Sequence, residues 1–307
     1  MAIAVAASGC AQGPPVAARA PYFAAPAAHF YGNDWMYSSQ PSGNEVVVYR
    51  RKRNGTLTRY KTLTSGFSAP LGMVTTPDGH WYIANSGASN VLVYRTTRRG
   101  PKGPVATLSD DGEVPVNVDA TPNRQLVAVS NGSTTGGHAG SVSVYLNRQN
   151  KPSRILTYGN DRLQGAGIAI DSNGNCYWSF NDPRKLTGSI VEFVGCNGGG
   201  TLFKSGILSV GGLAFDRSGN LYYVDRLLGI FKCEGPSSCS LFTPVILGGL
   251  ILPTNINFDN SKTQNLWVAD AAGYIDEVNV QGLIEYILDI LGGLTDPPIG
   301  IAPAPGS

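Results

Sequence analysis

The chain reads as short apolar strands broken by turns. Runs of Val, Ile, Leu, Tyr and Trp alternate with clusters of Gly, Asn, Asp, Ser and Pro, and long helical patterns are scarce. The segment "GLAFDRSGNLYYVDRL" (212–227) shows the basic unit. An apolar run meets an Asp-x-x-Gly-Asn turn, whose residues suit left-handed backbone positions, and a second apolar run follows.

The unit repeats. "GMVTTPDGHWYIANSG" (72–87) recurs as "NVDATPNRQLVAVSNG" (117–132), "GIAIDSNGNCYWSFND" (167–182), the 212–227 segment, and "NINFDNSKTQNLWVAD" (255–270). The period is about 45 residues. Each unit holds four strand candidates; in one they fall near 213–216, 220–225, 229–233 and 240–246. Four short strands at this period predict a propeller blade, which cannot bury both faces of its sheet alone and must stack in a ring. Five full units span about 71–298, and residues 34–64 supply three further strands that match strands two to four of a blade. The closing "IGIAPAPGS" (299–307) matches the missing first strand, with Gly300 aligned to Gly72, Gly167 and Gly212. The expectation is an all-β, six-bladed propeller over 34–307, closed by the C-terminal strand completing the first blade.

The units at 167–182 and 212–227 resemble the NHL-repeat family of six-bladed propellers, and the resemblance covers about 34–307. It implies the fold. Related propellers include lactonases of the gluconolactonase type, lyases, and non-catalytic binding scaffolds, so function has to come from a site.

The N-terminus changes the picture of location. "MAIAVAASGC" resembles the end of a bacterial lipoprotein signal, with Ala7-Ser8-Gly9 before Cys10. It lacks a basic leader and carries Ala7 where Leu is usual. The resemblance implies a lipid on Cys10 and an envelope protein, periplasmic or extracellular. Residues 11–33 are rich in Ala and Pro and read as a tether. No other segment reaches the roughly 18 apolar residues of a membrane span. Cys233 and Cys239 flank a Gly-Pro turn and are expected to form a disulfide, which an envelope location would preserve. Cys176 and Cys196 are left open, Cys176 reading equally as a small buried apolar group. No zinc-type Cys/His spacing is present.

Charged residues make up only 14% of the chain and the net charge is +2, so the overall field selects no partner. Three turns are locally basic: 49–55, 94–103 and 145–153 fall at the same point of consecutive blades. Their Arg and Lys form an outer strip that could lean on anionic lipid or cell-wall polymer. Aromatics are not interleaved there, so nucleic acid is not an expected partner.

Two places could hold a ligand. In the first strands, Asn117 and Asp119 lie on one blade and Asn255 and Asn257 on the blade opposite, in a ring with Val74, Ala169, Ala214 and Ala302. Such oxygens suit Ca²⁺, Mg²⁺ or a polar molecule, although only one is a carboxylate. The turns between second and third strands carry His138, Asp182, Arg184, Asp225, Arg226 and Asp270. The 131–141 turn is the longest and most Gly-rich of them. No Gly-x-Ser-x-Gly elbow, P-loop or dinucleotide fingerprint occurs. The leading expectation is a monomeric, non-catalytic, lipid-tethered module that binds a protein or small molecule without a cofactor. The alternative is a metal-assisted lactonase- or lyase-like enzyme working at the channel.

Overall fold

The computed structural model describes residues 35–52, 56–133, 139–159, 163–244, 250, 252–259, 264–278, 284–289 and 299–304. Cys10, residues 11–33 and His138 lie outside the described residues. Strands account for nearly all of the regular structure, with two single-turn 3₁₀ segments at Ser86–Ala88 and Val194–Cys196.

Six four-stranded antiparallel sheets form the ring. Blade 1 holds β1 (Trp35–Gln40), β2 (Glu45–Arg51) and β3 (Leu57–Leu63). Blade 2 runs β4 (Pro70–Thr75), β5 (His80–Asn85), β6 (Asn90–Thr97) and β7 (Gly100–Ser109). Blade 3 runs β8 (Val114–Ala120), β9 (Leu126–Gly132), β10 (Ser141–Leu146) and β11 (Arg154–Leu156). Blade 4 runs β12 (Gln164–Ile170), β13 (Cys176–Asp182), β14 (Thr187–Phe193) and β15 (Thr201–Ile207). Blade 5 runs β16 (Val210–Phe215), β17 (Leu221–Asp225), β18 (Gly229–Cys233) and β19 (Cys239–Pro244). Blade 6 runs β20 (Pro253–Phe258), β21 (Leu266–Asp270), β22 (Tyr274–Val278) and β23 (Ile284–Asp289). The last strand, β24 (Gly300–Pro303), returns to blade 1 as its innermost strand.

The C-terminal strand thus closes the ring. It pairs antiparallel to β1 with Met36 opposite Pro303, Tyr37 opposite Ala302 and Ser39 opposite Gly300. Ile301, Ala302 and Ala304 are 0%, 0% and 1% exposed. A partly buried ion pair ties the last blade to the first: Arg51 Nη2 donates to both Glu277 oxygens, at 2.9 and 2.8 Å. The guanidinium lies over Trp267, 5.2 Å from the ring centroid. Asn265 also donates to Glu277, at 2.7 Å. Burial raises the Glu277 pKa, and the Asn265 and Arg51 donors partly offset it.

One apolar cluster fills each of the six interfaces between neighbouring blades. Trp81 of blade 2 stacks on Tyr37 of blade 1 at 4.0 Å, and Trp178 of blade 4 donates to Ser130 of blade 3 at 3.0 Å. The turns that join first and second strands follow their sequence. Asp171 accepts from the backbone of Asn173 and Asn175 at 2.9 and 2.8 Å, and Gly174 takes φ +81°. Asp216 and Gly219 repeat that geometry. In blade 3 the left-handed position belongs to Arg124, at φ +58°. Its Nε reaches Asp78 of blade 2 at 2.7 Å, so the ion pair offsets the strain of a non-glycine there.

Both cysteine pairs are bonded. Cys233–Cys239 closes the hairpin between β18 and β19 as expected. Cys176–Cys196, which the residue pattern left open, joins the start of β13 to the turn after β14. Spacing alone hid it, because a separation of 20 residues bridges only once the blade brings both positions to one end. The apolar run 245–253 leaves Leu250 buried at 0% exposure, while 245–249 lie outside the described residues. Among the described residues no helix is long and apolar enough to cross a membrane.

Candidate functional site

The six innermost strands run along the ring axis, each paired on one side only. Their inner edges present unpaired N–H and C=O groups to the channel, and such groups need partners. Side chains from neighbouring blades supply them. Asp119 accepts from Ala120 N through Oδ1 and from Ile170 N of the next blade through Oδ2, both at 2.7 Å. Asn257 donates both amide hydrogens to carbonyls, those of Met73 and Ile301, each at 2.7 Å. Thr75 donates to the Pro303 carbonyl.

The channel is closed part-way along. Asn117 and Asn255 meet across the axis, Asn117 Nδ2 donating to Asn255 Oδ1 at 3.4 Å. Each also accepts from the backbone N–H of the following residue, at 2.8 and 2.9 Å. They are 4% and 5% exposed. Glycine makes this plug possible, because a Cβ at Gly72 would collide with Asn117 and one at Gly212 with Asn255. Above the plug the channel widens into a cavity of about 730 Å³. It opens between the first-to-second-strand turns, which contribute Pro77, Pro122, Asp171, Asp216 and Asp259 to its rim. Its wall is largely apolar, with Val74, Ile170, Ala214, Phe215 and Phe258. Asp119 and Asn257 stand in that wall. Burial pushes the Asp119 carboxyl up to about 6, against the lowering effect of its two backbone donors.

The four channel residues all line this cavity, in two different settings. Asn117 and Asn255 face each other, whereas Asp119 and Asn257 clasp adjacent inner strands. The ring position expected of Ala169 is not in the cavity wall; Ile168 and Ile170 line it, and Ala169 packs between blades 4 and 5. The register shift between Gly165 and Gly167 has counterparts at the start of β4, β8, β16 and β20, so it is common to these innermost strands. The aromatic wall, Phe215 and Phe258, was missed because each sits at the end of its strand, just before the turn acid.

The donor set does not fit a divalent ion. Among the described residues Asp119 is the sole carboxylate at channel depth, and both its oxygens accept backbone amides. Asn117 and Asn255 turn their oxygens to backbone amides as well. Among the described residues, no group of three or more His, Cys, Asp or Glu side chains gathers in metal-binding geometry.

The second-to-third-strand turns lie on the opposite face. Asp225 is 2% exposed and accepts from Leu208 N and Leu227 N, each at 3.0 Å. Asp270, fully buried, accepts from Leu252 N at 2.9 Å and Ala272 N at 2.8 Å. Asp182 accepts from Arg184 N at 3.0 Å and lies 3.4 Å from Lys185 Nζ. The Arg184 backbone donor, chiefly, lowers the Asp182 pKa. Asp225 and Asp270 fasten their turns to the segments entering their own blades, whereas Asp182 holds only its own turn, and the three do not converge. Arg226 is half-buried, its backbone N–H donates to Ser209 O at 2.8 Å, and burial lowers its pKa. The basic turns project from the cavity face, where Arg50, Lys52, Arg95, Arg98, Arg99, Lys102, Arg148 and Lys151 are exposed.

Solved structures share this fold. One from the nidogen/laminin complex aligns at a TM-score of 0.64 and 15% identity, covering 87% of this chain and 97% of that one. A functionally unknown protein from Desulfotomaculum acetoxidans aligns at 0.58 and 15%, covering 89% and 100%. A luciferin-regenerating enzyme aligns at 0.51 and 14%, covering 73% and 76%. No family model matches the chain, and no curated protein matches it significantly. At these identities the likeness is one of fold: the chain is similar to β-propellers that include a member of a binding complex and an enzyme.

Proposed function

We propose that the protein is a non-catalytic propeller module that binds a small molecule in its axial cavity. The blind cavity of about 730 Å³ carries this reading. Its size, its apolar wall and its few inward polar groups are those of a ligand pocket. The polar groups in it argue for holding rather than reacting. A general base needs a proton-transfer partner within reach, and Asp119 and Asn257 instead secure the inner strands. The likeness of the repeats to NHL propellers, a family with many binding scaffolds, supports the same reading.

A small-molecule thermal-shift screen tests it. Ligands that raise the melting temperature of the parent protein are expected to lose that effect in Val74→Phe, which fills the cavity from β4. Stabilisation that survives Val74→Phe would move the site elsewhere.

The proposal includes a location. The leader ending at Cys10 supports a lipid anchor that would hold the propeller at a bacterial envelope surface. Protein made in a bacterial host is expected to carry an acyl mass that disappears in Cys10→Ala. An unmodified parent N-terminus would remove the anchor and leave the cavity reading untouched.

A further inference from the structure

The axial cavity carries a net negative charge. Its lining includes the carboxyl groups of Asp119, Asp171, Asp216 and Asp259 and one guanidinium, that of Arg217. Four negative groups and one positive leave a formal −3, in a chain whose net charge is +2. Three of these acids stand at the mouth. Asp171 and Asp216 form their own turns, through backbone and Asn175 or Asn220 contacts. They add field at the rim while remaining committed locally.

Asp119 also accepts two backbone amides, and it differs in its position. It stands inside the cavity, between the plug and the mouth, and is only partly covered. Two backbone N–H groups support its carboxylate. Among the described residues no basic side chain contributes to its electrostatic balance, and burial is the larger influence on it. A carboxylate in a narrow, mostly apolar cavity is costly unless a counter-charge is brought to it. Among the described residues that counter-charge is not supplied.

The adjacent polar groups have the same preference. An amide has two N–H donors, and Asn257 spends both on the Met73 and Ile301 carbonyls. It can offer a ligand only its Oδ1 acceptor. Thr75 likewise spends its hydroxyl proton on Pro303. Beside Asp119, therefore, Asn257 and Thr75 offer a ligand acceptors, which favours N–H donors there, while the donors of the lining are the Asn117 and Asn255 amides at the floor and Arg217. Around these groups, Phe215, Phe258, Ile170 and Val74 offer apolar surface.

We infer that the ligand is a small organic amine, bound as its ammonium ion with the charge at Asp119 and an apolar body against Phe215 and Phe258. This rests on the axial-cavity reading above and deepens it. The attraction is electrostatic in a partly desolvated site, where one charge pair separates affinities by more than at an open surface.

Three probes of one shape test it: phenethylammonium, phenethyl alcohol and phenylacetate, titrated into the full chain by NMR. The cation is expected to bind about tenfold or more tightly than the alcohol, with phenylacetate weakest. Asp119→Asn is expected to erase the cation's advantage, and Val74→Phe to weaken the cation and the alcohol together. A cation that binds no better than the alcohol, or shows no binding at about 10 mM, overturns the inference. So does an advantage that survives Asp119→Asn. If that variant fails to fold, the cation-to-alcohol ratio in the parent decides alone. If alcohol or phenylacetate binds and Val74→Phe removes it while the cation stays silent, the cavity reading stands and only the amine falls. Probe binding indifferent to Val74→Phe removes the cavity reading itself. Tight Ca²⁺ binding that Asp119→Asn abolishes, with the cation silent, would assign the carboxylate to a metal and overturn the amine.

Discussion

Deletion of residues 299–307 is expected to abolish the cooperative melt of the whole propeller, or to lower its midpoint by about 15 °C or more. The strand is short, but it is the inner edge of blade 1. Ile301 packs with Met36, Val47 and Trp267 on the blade 6 side, and Ala302 and Ala304 pack with Met73 and Trp81 on the blade 2 side. Loss of a fully buried Ile costs about 2–5 kcal/mol in a core that cannot relax. Deletion also strips β1 of its inner partner and leaves the Thr254 and Asn257 side chains without the Ile299 and Ile301 carbonyls they hold. The combined loss is comparable to the roughly 5–15 kcal/mol of net stability of a typical domain. Differential scanning calorimetry of the truncated chain checks this. An unchanged transition would mean that the ring does not depend on its C-terminal strand.

The second large effect is a dependence of stability on pH. Asp276 of β22 is 1% exposed, and neither carboxyl oxygen has a hydrogen-bond partner. It faces the cluster between blades 5 and 6, where Val268 and Val278 flank it. Burial first, and the Asp270 charge second, push its pKa from 3.8 to about 7. The folded state therefore keeps a proton between about pH 4 and 7 that the unfolded chain has released. Stability is highest below this window and falls as pH rises through it. At one pKa unit per 1.36 kcal/mol, the loss by pH 8 is on the order of 4 kcal/mol. Asp110, pushed up to about 6 mainly by burial, and Asp119 act in the same direction over a narrower range. Asp276→Asn is expected to raise the melting temperature at pH 8 by about 5–10 °C, with little change at pH 4. Melting curves of parent and variant at the two pH values decide it. A variant no more stable than the parent at pH 8 would show that Asp276 does not carry the charge cost assigned to it.

Much of the fold was legible because a blade repeats its chemistry. The Asp-x-x-Gly-Asn turns, the alternating runs around them and the misplaced first strand at 299–307 each point to one topology. The site was less legible. Reading Val74, Asp119, Ala169 and Asn257 as one inward ring assumed that alternate side chains face the axis. The innermost strand instead offers the axis its unpaired backbone edge. Polar side chains near that edge are drawn to neighbouring amides and carbonyls, which is why Asp119 reaches Ile170 and Asn257 reaches Met73. The buried acids at the ends of the second strands misled for a related reason. Asp225 and Asp270 look like a binding face when read along the chain, yet both are turned inward to hold Leu208 and Leu252. The cavity mouth, on the opposite face, is ringed by turn acids that the repeat had already explained as turn formers.

The axial cavity is the centre of the functional account, and crystallography with an anomalous scatterer tests it most directly. Crystals of the protein soaked in ring-brominated phenethylammonium, and separately in ring-brominated phenethyl alcohol, would locate each ligand by its bromine. The account predicts a bromine peak within the axial cavity near Phe215 and Phe258, with the ammonium of the first ligand directed to Asp119. Peaks confined to the second-to-third-strand turn face, or a cavity free of both ligands at saturating concentration, would contradict it.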